Sequence, residues 1–383
     1  MFVTGLRCFR CGVPHEMDPQ AYTCPACSGN RGDEGILDVQ YDYPAAKAMI
    51  HSTLHKNGRH DVFRFLPLLP TSDTIGVLPA GGTPLIPASG LAARLGLRSL
   101  FLKDETRNPT RCLKDRATAV AVTMARAHGY RDLYCASAGN AAISLAGFCA
   151  HQGIGCHVFV PREVSQTRLN WLRRYGAEIH ISMGNYDQAY DEAEQAGAEN
   201  GWYSRNCAFN PFLVEGKKTV ALEISEQLGW QVPDLIVAPV GDGCTLGAIG
   251  KGSRELNLVR LTDRIPRLIG VQSEAIQPLV KRYHGEAIQE GGDTTQAESI
   301  AVRRPRNALR LLDEMRASRG EMLAVSDEQI SVAQRLLAHE AGVVSEFTSA
   351  ATLAGLFQLA ESESLANQSA VLVITGGRLD SDF

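Results

Sequence analysis

DLYCASAGNAAISLAGFCAHQG, residues 132–153, runs from a short apolar segment through a turn of small residues into a helical pattern closed by a glycine. Continuous apolar runs followed by helical periodicity and a terminal glycine mark parallel strands covered by helices. The same unit recurs along the chain. SLFLKDE (99–105) precedes KDRATAVAVTMARAHG (114–129), and CHVFVP (156–161) precedes SQTRLNWLRRYG (165–176) and AEIHIS (177–182). Further on come the helix KKTVALEISEQLG (217–229), the strand LIVAPV (235–240), a helix over 245–258 and the strand RLIGVQS (267–273). Two helices, 326–341 and 349–361, precede a last strand AVLVITGG (370–377). The pattern predicts an α/β protein. The glycine-rich and polar stretch 283–306 predicts a long surface loop or mobile cover.

The chain of 383 residues is 44% apolar and 21% charged, which excludes disordered and fibrous classes and leaves room for two domains and a small third. Its formal charge is −4, and its longest basic block is RRPR at 303–306, so neither nucleic acid nor an anionic membrane is an expected partner. No segment has the roughly 18 apolar residues of a membrane span, and the N-terminus lacks an apolar core of signal-peptide type. A cytoplasmic protein is expected.

Of ten cysteines, the first four, Cys8, Cys11, Cys24 and Cys27, form two C-x2-C pairs. Two such knuckles present the four thiolates that zinc prefers in a closed structural site, with no position left for a catalytic water. A redox dithiol is the alternative, but no βαβ unit flanks these pairs. The other six cysteines lie in apolar segments, as small buried hydrophobes do. His51 and His55 stand four apart without an acidic third partner, which favours an exposed helix over a metal site.

Four features converge around Lys114. It follows Asn108-Pro109, a turn signal, and opens a strongly periodic helix. The positive end of that helix disfavours its ammonium form, which suits an amine that forms a Schiff base. Next, SAGNAA (137–142) follows a strand and starts a helix, so its small residues let the backbone approach a flat ligand while Asn140 offers a hydrogen bond. Third, PVGDGCTLG (239–247) reads as strand, glycine-rich turn and helix start, an anion cradle without the spacing of a Walker or dinucleotide loop. Finally, Thr375 ends the last strand, placed to offer a neutral hydroxyl to a heteroaromatic nitrogen.

With GGTPLIPASGLAARLG (81–96), FLKDETRNPTRCLKDRA (101–117), NPFLVEGKKT (210–219), SEFTSAATLAGL (345–356) and TGGRLD (375–380), these motifs resemble the threonine synthase family of fold-type II pyridoxal-phosphate enzymes. The resemblance covers nearly the whole chain. It implies two doubly wound α/β domains with the cofactor between them, preceded by a cysteine ribbon that holds structural zinc. The expected boundaries are 1–40 for the ribbon, 41–118 with 216–383 for a large cofactor domain, and 119–215 for a smaller one. It further implies pyridoxal 5'-phosphate as cofactor, a small amino acid as substrate and a homodimer.

Carried over position by position, Lys114 is the Schiff-base lysine and Asn140 the contact to the cofactor's phenolic oxygen. Gly241, Asp242, Gly243, Cys244 and Thr245 surround the phosphate, and Thr375 faces the ring nitrogen. Ser137, Ala138, Gly139 and Ala141 belong to the loop for the substrate carboxylate. Ala138 stands where racemases of this fold carry a proton-donating serine, which favours elimination or replacement. Asp242 is compatible with a phosphate loop if its side chain turns outward.

Three departures stand out: Arg111-Cys112-Leu113 where the family has Gly-Ser-Phe, Leu213 where it has an arginine for the substrate phosphate, and an altered TGGRLDSD ending. They point away from O-phosphohomoserine. Authentic threonine synthesis, an ammonia-lyase reaction on serine, threonine or diaminopropionate, and a silent cofactor-binding protein remain the alternatives. Arg111 is either a reader of an anionic substrate group in place of the lost arginine or a solvent-facing charge.

Overall fold

A computed structural model of the chain describes residues 2–28, 35–74, 76–184, 186–288 and 294–377. Its elements begin with β1 (Val3–Cys8), β2 (Pro14–His15), β3 (Leu37–Tyr41) and α1 (Tyr43–Lys56). There follow β4 (Leu85–Pro87), α2 (Ser89–Arg94), β5 (Ser99–Asp104), α3 (Lys114–Ala127), β6 (Asp132–Ala136), α4 (Asn140–Gln152) and β7 (Gly155–Val160). Next are α5 (Gln166–Arg174), β8 (Glu178–Ile181), α6 (Tyr186–Asn200), β9 (Tyr203–Ser204), α7 (Pro211–Gln227), β10 (Leu235–Pro239), α8 (Cys244–Leu258) and β11 (Arg267–Ser273). The chain closes with α9 (Pro278–His284), α10 (Ala308–Ala317), β12 (Glu321–Val325), α11 (Asp327–Ala341), α12 (Phe347–Ser362) and β13 (Ser369–Ile374).

Contacts gather into two units. One takes Met1–Gly82 with Asn108–Lys217, the other Thr83–Arg107 with Lys218–Leu379, and the boundary falls within α7. Residues 41–82 and 108–118 thus cluster with the ribbon and the smaller sheet, whereas the sequence reading groups them with the large domain. A hydrogen bond joins the two stretches: Asn108 Oδ1 accepts from the Gly81 N–H at 2.8 Å.

The first unit carries an antiparallel ribbon in the order β2-β1-β3 and a four-stranded parallel sheet in the order β8-β7-β6-β9. Successive strand residues face opposite sides. Tyr134, Ala136 and Phe159 pack against Tyr190 and Ala193 of α6. On the other side Cys156 meets Cys149 of α4. The sheet therefore has helices on both faces, as its uninterrupted apolar strands require.

The second unit has a six-stranded sheet in the order β12-β11-β10-β13-β5-β4, parallel except for β4. Every residue of β10 and β13 is buried. The apolar side of α12 packs on the central strands, and α11 lies on α12. A full capping box starts α11: Ser326 accepts from the Gln329 N–H while the Gln329 side chain accepts from the Ser326 N–H. Gly342 ends it with a φ of 67°, the left-handed region open to glycine.

Both outer strands of this sheet are closed off. β4 is three residues long and ends at Pro87, which has no N–H. Along β12, the Tyr283 hydroxyl of α9 donates to the Gly320 carbonyl at 2.7 Å and His284 Nε2 to the Met322 carbonyl at 3.0 Å.

The strands and helices read from apolar runs are present; α6, α9, α10 and β12 had no such signal. Of the stretch 283–306, residues 289–293 lie outside the described residues, and Glu298–Ile300 forms a single 3-10 turn. His51 is exposed on α1, and only the backbone of His55 is described. Among the described residues, no helix is long and apolar enough to cross a membrane.

Candidate active site

In the first unit, the turn 108–113 aims the start of α3. The Arg111 N–H donates to the Asn108 carbonyl at 2.8 Å, and the Thr110 N–H to the Asp115 carboxylate at 2.6 Å. Burial pushes the Asp115 carboxyl up, and the two Thr110 hydrogen bonds work against that. Lys114, half-buried, is the first residue of the helix, and no side chain caps the N–H groups there.

Arg111 is exposed and has a φ of 65°, a conformation that costs a side chain about 1 kcal/mol or more relative to glycine. The family's glycine at this position has a plain backbone reason. Among the described residues the Arg111 guanidinium has no hydrogen bond or ion pair.

Helix α4 starts beside α3. Cys112 Sγ lies 3.8 Å from the Asn140 carbonyl, and the hydroxyls of Thr118 and Ser144 are 2.7 Å apart. Gly139, extended, precedes α4 with no side chain capping its first turn, and the Gly139 N–H donates to Ser137 Oγ at 3.2 Å. Ser137, Ala138, Gly139, Asn140 and Ala141 are all half-buried, between a buried strand and a buried helix body. A Cβ built at Gly139 meets nothing within 4 Å. A helix start without a side-chain cap, next to open space, fits a carboxylate.

Two features hold Lys114 from behind. Buried Arg205 donates to the Lys114 carbonyl and to Thr118 Oγ1, each at 3.1 Å. A Cβ at Gly216 would overlap the Arg116 carbonyl oxygen, so the glycine of NPFLVEGKKT lets α7 press against the first turn of α3. Neither residue was singled out from sequence.

Cys207 Sγ accepts from Arg205 at 3.1 Å. Burial pushes this thiol up, yet Arg205, Lys217 and Lys114 together outweigh burial and bring it down to about 7. Iodoacetamide should therefore modify Cys207 at a rate that climbs through about pH 7 and then levels. Peptide mapping across pH reads this, and a midpoint at the ordinary thiol value of about 8.5 would refute it.

In the second unit, the turn after β10 carries Gly241, Asp242, Gly243, Cys244 and Thr245. Gly243 has a φ of 95° and precedes α8 with no side-chain cap. A Cβ there would come within 3.0 Å of the Asn307 carbonyl oxygen, and one at Gly241 within 3.1 Å of that of Ser299. The Asp242 carboxylate is turned to the Arg306 N–H at 3.1 Å, in the RRPR segment. The uncapped amides at the start of α8 suit a dianionic phosphate.

Thr375, beyond the end of β13, has its hydroxyl 3.0 Å from that of Ser349 on α12, and Ser349 Oγ accepts from the Gly376 N–H at 3.0 Å. Thr375 also approaches the Glu346 carboxylate at 3.5 Å. A hydroxyl pair stands where one hydroxyl was expected. Ser349 gave no signal because a helical serine in TSAAT reads as packing. The altered ending beyond residue 377 lies outside the described residues.

In the ribbon, the sulfurs of Cys8, Cys11, Cys24 and Cys27 all lie within 4.8 Å of one another, with Cys11 and Cys24 at 3.9 Å. Tetrahedral ligation with Zn–S bonds of about 2.3 Å sets sulfurs roughly 3.8 Å apart, so the four thiols fit that ion.

Residues 77–376 match the family model described as pyridoxal-phosphate dependent enzyme. The chain is 36% identical over 377 residues to a threonine synthase of Methanocaldococcus jannaschii, covering 97% of this chain and 91% of that one. A threonine synthase of Mycobacterium tuberculosis is 36% identical over 315 residues, covering 81% and 86%. Among solved structures, the processed form of threonine deaminase isoform 2 from Solanum lycopersicum has a TM-score of 0.66 at 20% identity, covering 78% of this chain and 84% of that one. Maize serine racemase has a TM-score of 0.66 at 19% identity, covering 79% and 89%.

Proposed function

Because the chain belongs to the pyridoxal-phosphate dependent enzymes, with the type II fold and within the threonine synthase family, we propose that it catalyses elimination or replacement at the β or γ carbon of a small α-amino acid carrying an anionic substituent. Arg111 carries this reading. An exposed guanidinium without a partner among the described residues, held in a strained conformation three residues before Lys114, is available to read an anionic group.

The residues present fit the cofactor. In the first unit Lys114 would hold it through Nζ and Asn140 would bond its phenolic oxygen; in the second the turn from Gly241 to Thr245 would take its phosphate and the Thr375–Ser349 hydroxyl pair would meet its ring nitrogen. When bound, pyridoxal 5'-phosphate supplies an electron sink for charge developing at the substrate Cα. The 137–141 loop binds the substrate carboxylate through backbone amides. Once the substrate's own amine has displaced it from the cofactor, Lys114 Nζ is a free amine and accepts the Cα proton. The leaving group departs with its electron pair from the neighbouring carbon, its anionic group held by Arg111 from substrate binding onward. A neutral hydroxyl at the ring nitrogen favours elimination over chemistry that needs a protonated ring. The four ribbon cysteines hold a structural zinc ion.

The relatives named threonine synthase support a second reading, authentic threonine synthesis. Leu213 is fully buried and supplies packing. Its presence alone does not exclude O-phosphohomoserine, since Arg111 offers another cation for a phosphate. Product analysis with O-phosphohomoserine, O-phosphoserine, serine, threonine and diaminopropionate separates the readings; threonine formed only from the first establishes the second reading.

Replacing Arg111 by glycine tests the carrying observation. The variant should raise KM for the anionic substrate by about 10-fold or more, the loss expected for a charge-assisted hydrogen bond, with kcat retained. Relief of the left-handed strain should raise stability by about 1 kcal/mol. An unchanged KM would overturn the role of Arg111.

A further inference from the structure

The face of the four-stranded sheet that packs against α6 carries a group of side chains at its other end that the reaction does not use. His157 on β7 stands in register with Glu178 on β8, and His180 follows two residues on, so all three project from the same side. His157 Nδ1 lies 3.4 Å from His180 Nε2 and 3.4 Å from Glu178 Oε2, while His180 Nε2 lies 3.6 Å from Glu178 Oε1. We propose that His157 Nδ1, His180 Nε2 and the Glu178 carboxylate form a second metal site, for a divalent ion of the zinc class, with a fourth position open to water.

Three observations carry this. The separations match a shared ion, since tetrahedral bonds of about 2.0–2.1 Å set neighbouring ligand atoms about 3.3 Å apart. The geometry is also built from outside the ligand set. The Asp132 carboxylate lies 3.3 Å from His157 Nε2 and can only accept, so it fixes the proton on Nε2 and directs the Nδ1 lone pair to the point the Glu178 carboxylate faces. Two acceptors converge there, and either a His180 Nε2–H or a cation bound by all three groups satisfies them. Finally, the arrangement has been given room. A Cβ at Gly155 would fall within van der Waals overlap of Asp132 Oδ1, so only glycine lets that carboxylate reach the ring. The Trp202 indole stacks on the His157 imidazole at 3.6 Å and 6°, which sets its plane.

The site is separate from the reaction. Asp132 begins β6, and the Ser137 loop leaves its far end, roughly 16 Å away at strand rise. The ion joins β7 to the outermost strand β8, so its role is to clamp that edge. Imidazole and carboxylate suit zinc, cobalt or nickel, in contrast to the four thiolates of the ribbon.

Metal content of the full-length holoenzyme, equilibrated with zinc and then desalted, tests this. Wild type should retain about two zinc ions per chain. Glu178→Gln and His180→Ala, both at partly exposed positions, should retain about one, with unchanged circular dichroism and cofactor absorbance. Asp132→Asn should weaken the second ion by about 10- to 100-fold. With cobalt in place of zinc, the ion lost in the variants should lack thiolate charge-transfer bands. A wild-type protein with thiolate-bound metal only, or variants that retain as much metal as wild type, would overturn the site.

Discussion

Lys114→Ala is expected to abolish the visible absorbance of the bound cofactor and lower turnover by about 10³-fold or more. In the proposed reaction the same amine both anchors the cofactor and accepts the Cα proton, and loss of a positioned base alone is worth 10²- to 10⁴-fold. The fold should survive, because the backbone of this turn is held by other residues: Arg205 grips the Lys114 carbonyl, and Thr110 and Asp115 close the preceding turn. Borohydride should fix the cofactor to wild type and not to the variant. Full activity in the alanine variant would refute the assignment, and Arg111→Gly, which retains the chromophore, separates substrate reading from cofactor anchoring.

Glu255→Ala should cost about 3–5 kcal/mol of stability, a large share of the 5–15 kcal/mol typical of a folded domain. On α8, the Glu255 carboxylate lies 2.6 Å from Lys218 Nζ of α7 and 3.8 Å from Lys251 Nζ, and all three side chains are wholly buried. The helices approach too closely there for solvent to enter, since a Cβ at Gly252 would sit 2.6 Å from the Lys218 carbonyl oxygen. Removing the carboxylate takes an anion from two wholly buried ammonium groups. Replacing the pair together, Lys218→Met with Glu255→Leu, should cost less, because the closer ammonium leaves with the carboxylate and only the 3.8 Å contact to Lys251 is lost. Urea unfolding of the three proteins measures this, and a loss below 1 kcal/mol for the single variant would show that the carboxylate is dispensable.

Those buried lysines mark what the sequence could not disclose. KKTVALEISEQLG announces a helix by its period, yet nothing local says that Lys218 faces inward; its partner lies 37 residues on. The same holds for His157 and His180, brought together by strand register, and for Ser349 and Thr375. Residues separated by intervening elements meet only through the topology. What was legible was local: apolar runs bounded by glycines, the C-x2-C knuckles, and turns such as PVGDGCTLG in which small residues precede a helix. Arg111 shows the limit in a different way. Its departure from the family's glycine was visible, but the left-handed backbone that makes the departure costly was not.

The closed edges of the six-stranded sheet bear on how copies of this chain meet. A strand added beside β4 would face Pro87 without a donor, and one added beside β12 would find the Gly320 and Met322 carbonyls already taken by Tyr283 and His284. Self-association by lengthening this sheet is blocked, and with it the main route by which an exposed sheet edge seeds insoluble aggregates. The homodimer expected from the sequence would have to be built away from the edges of this sheet.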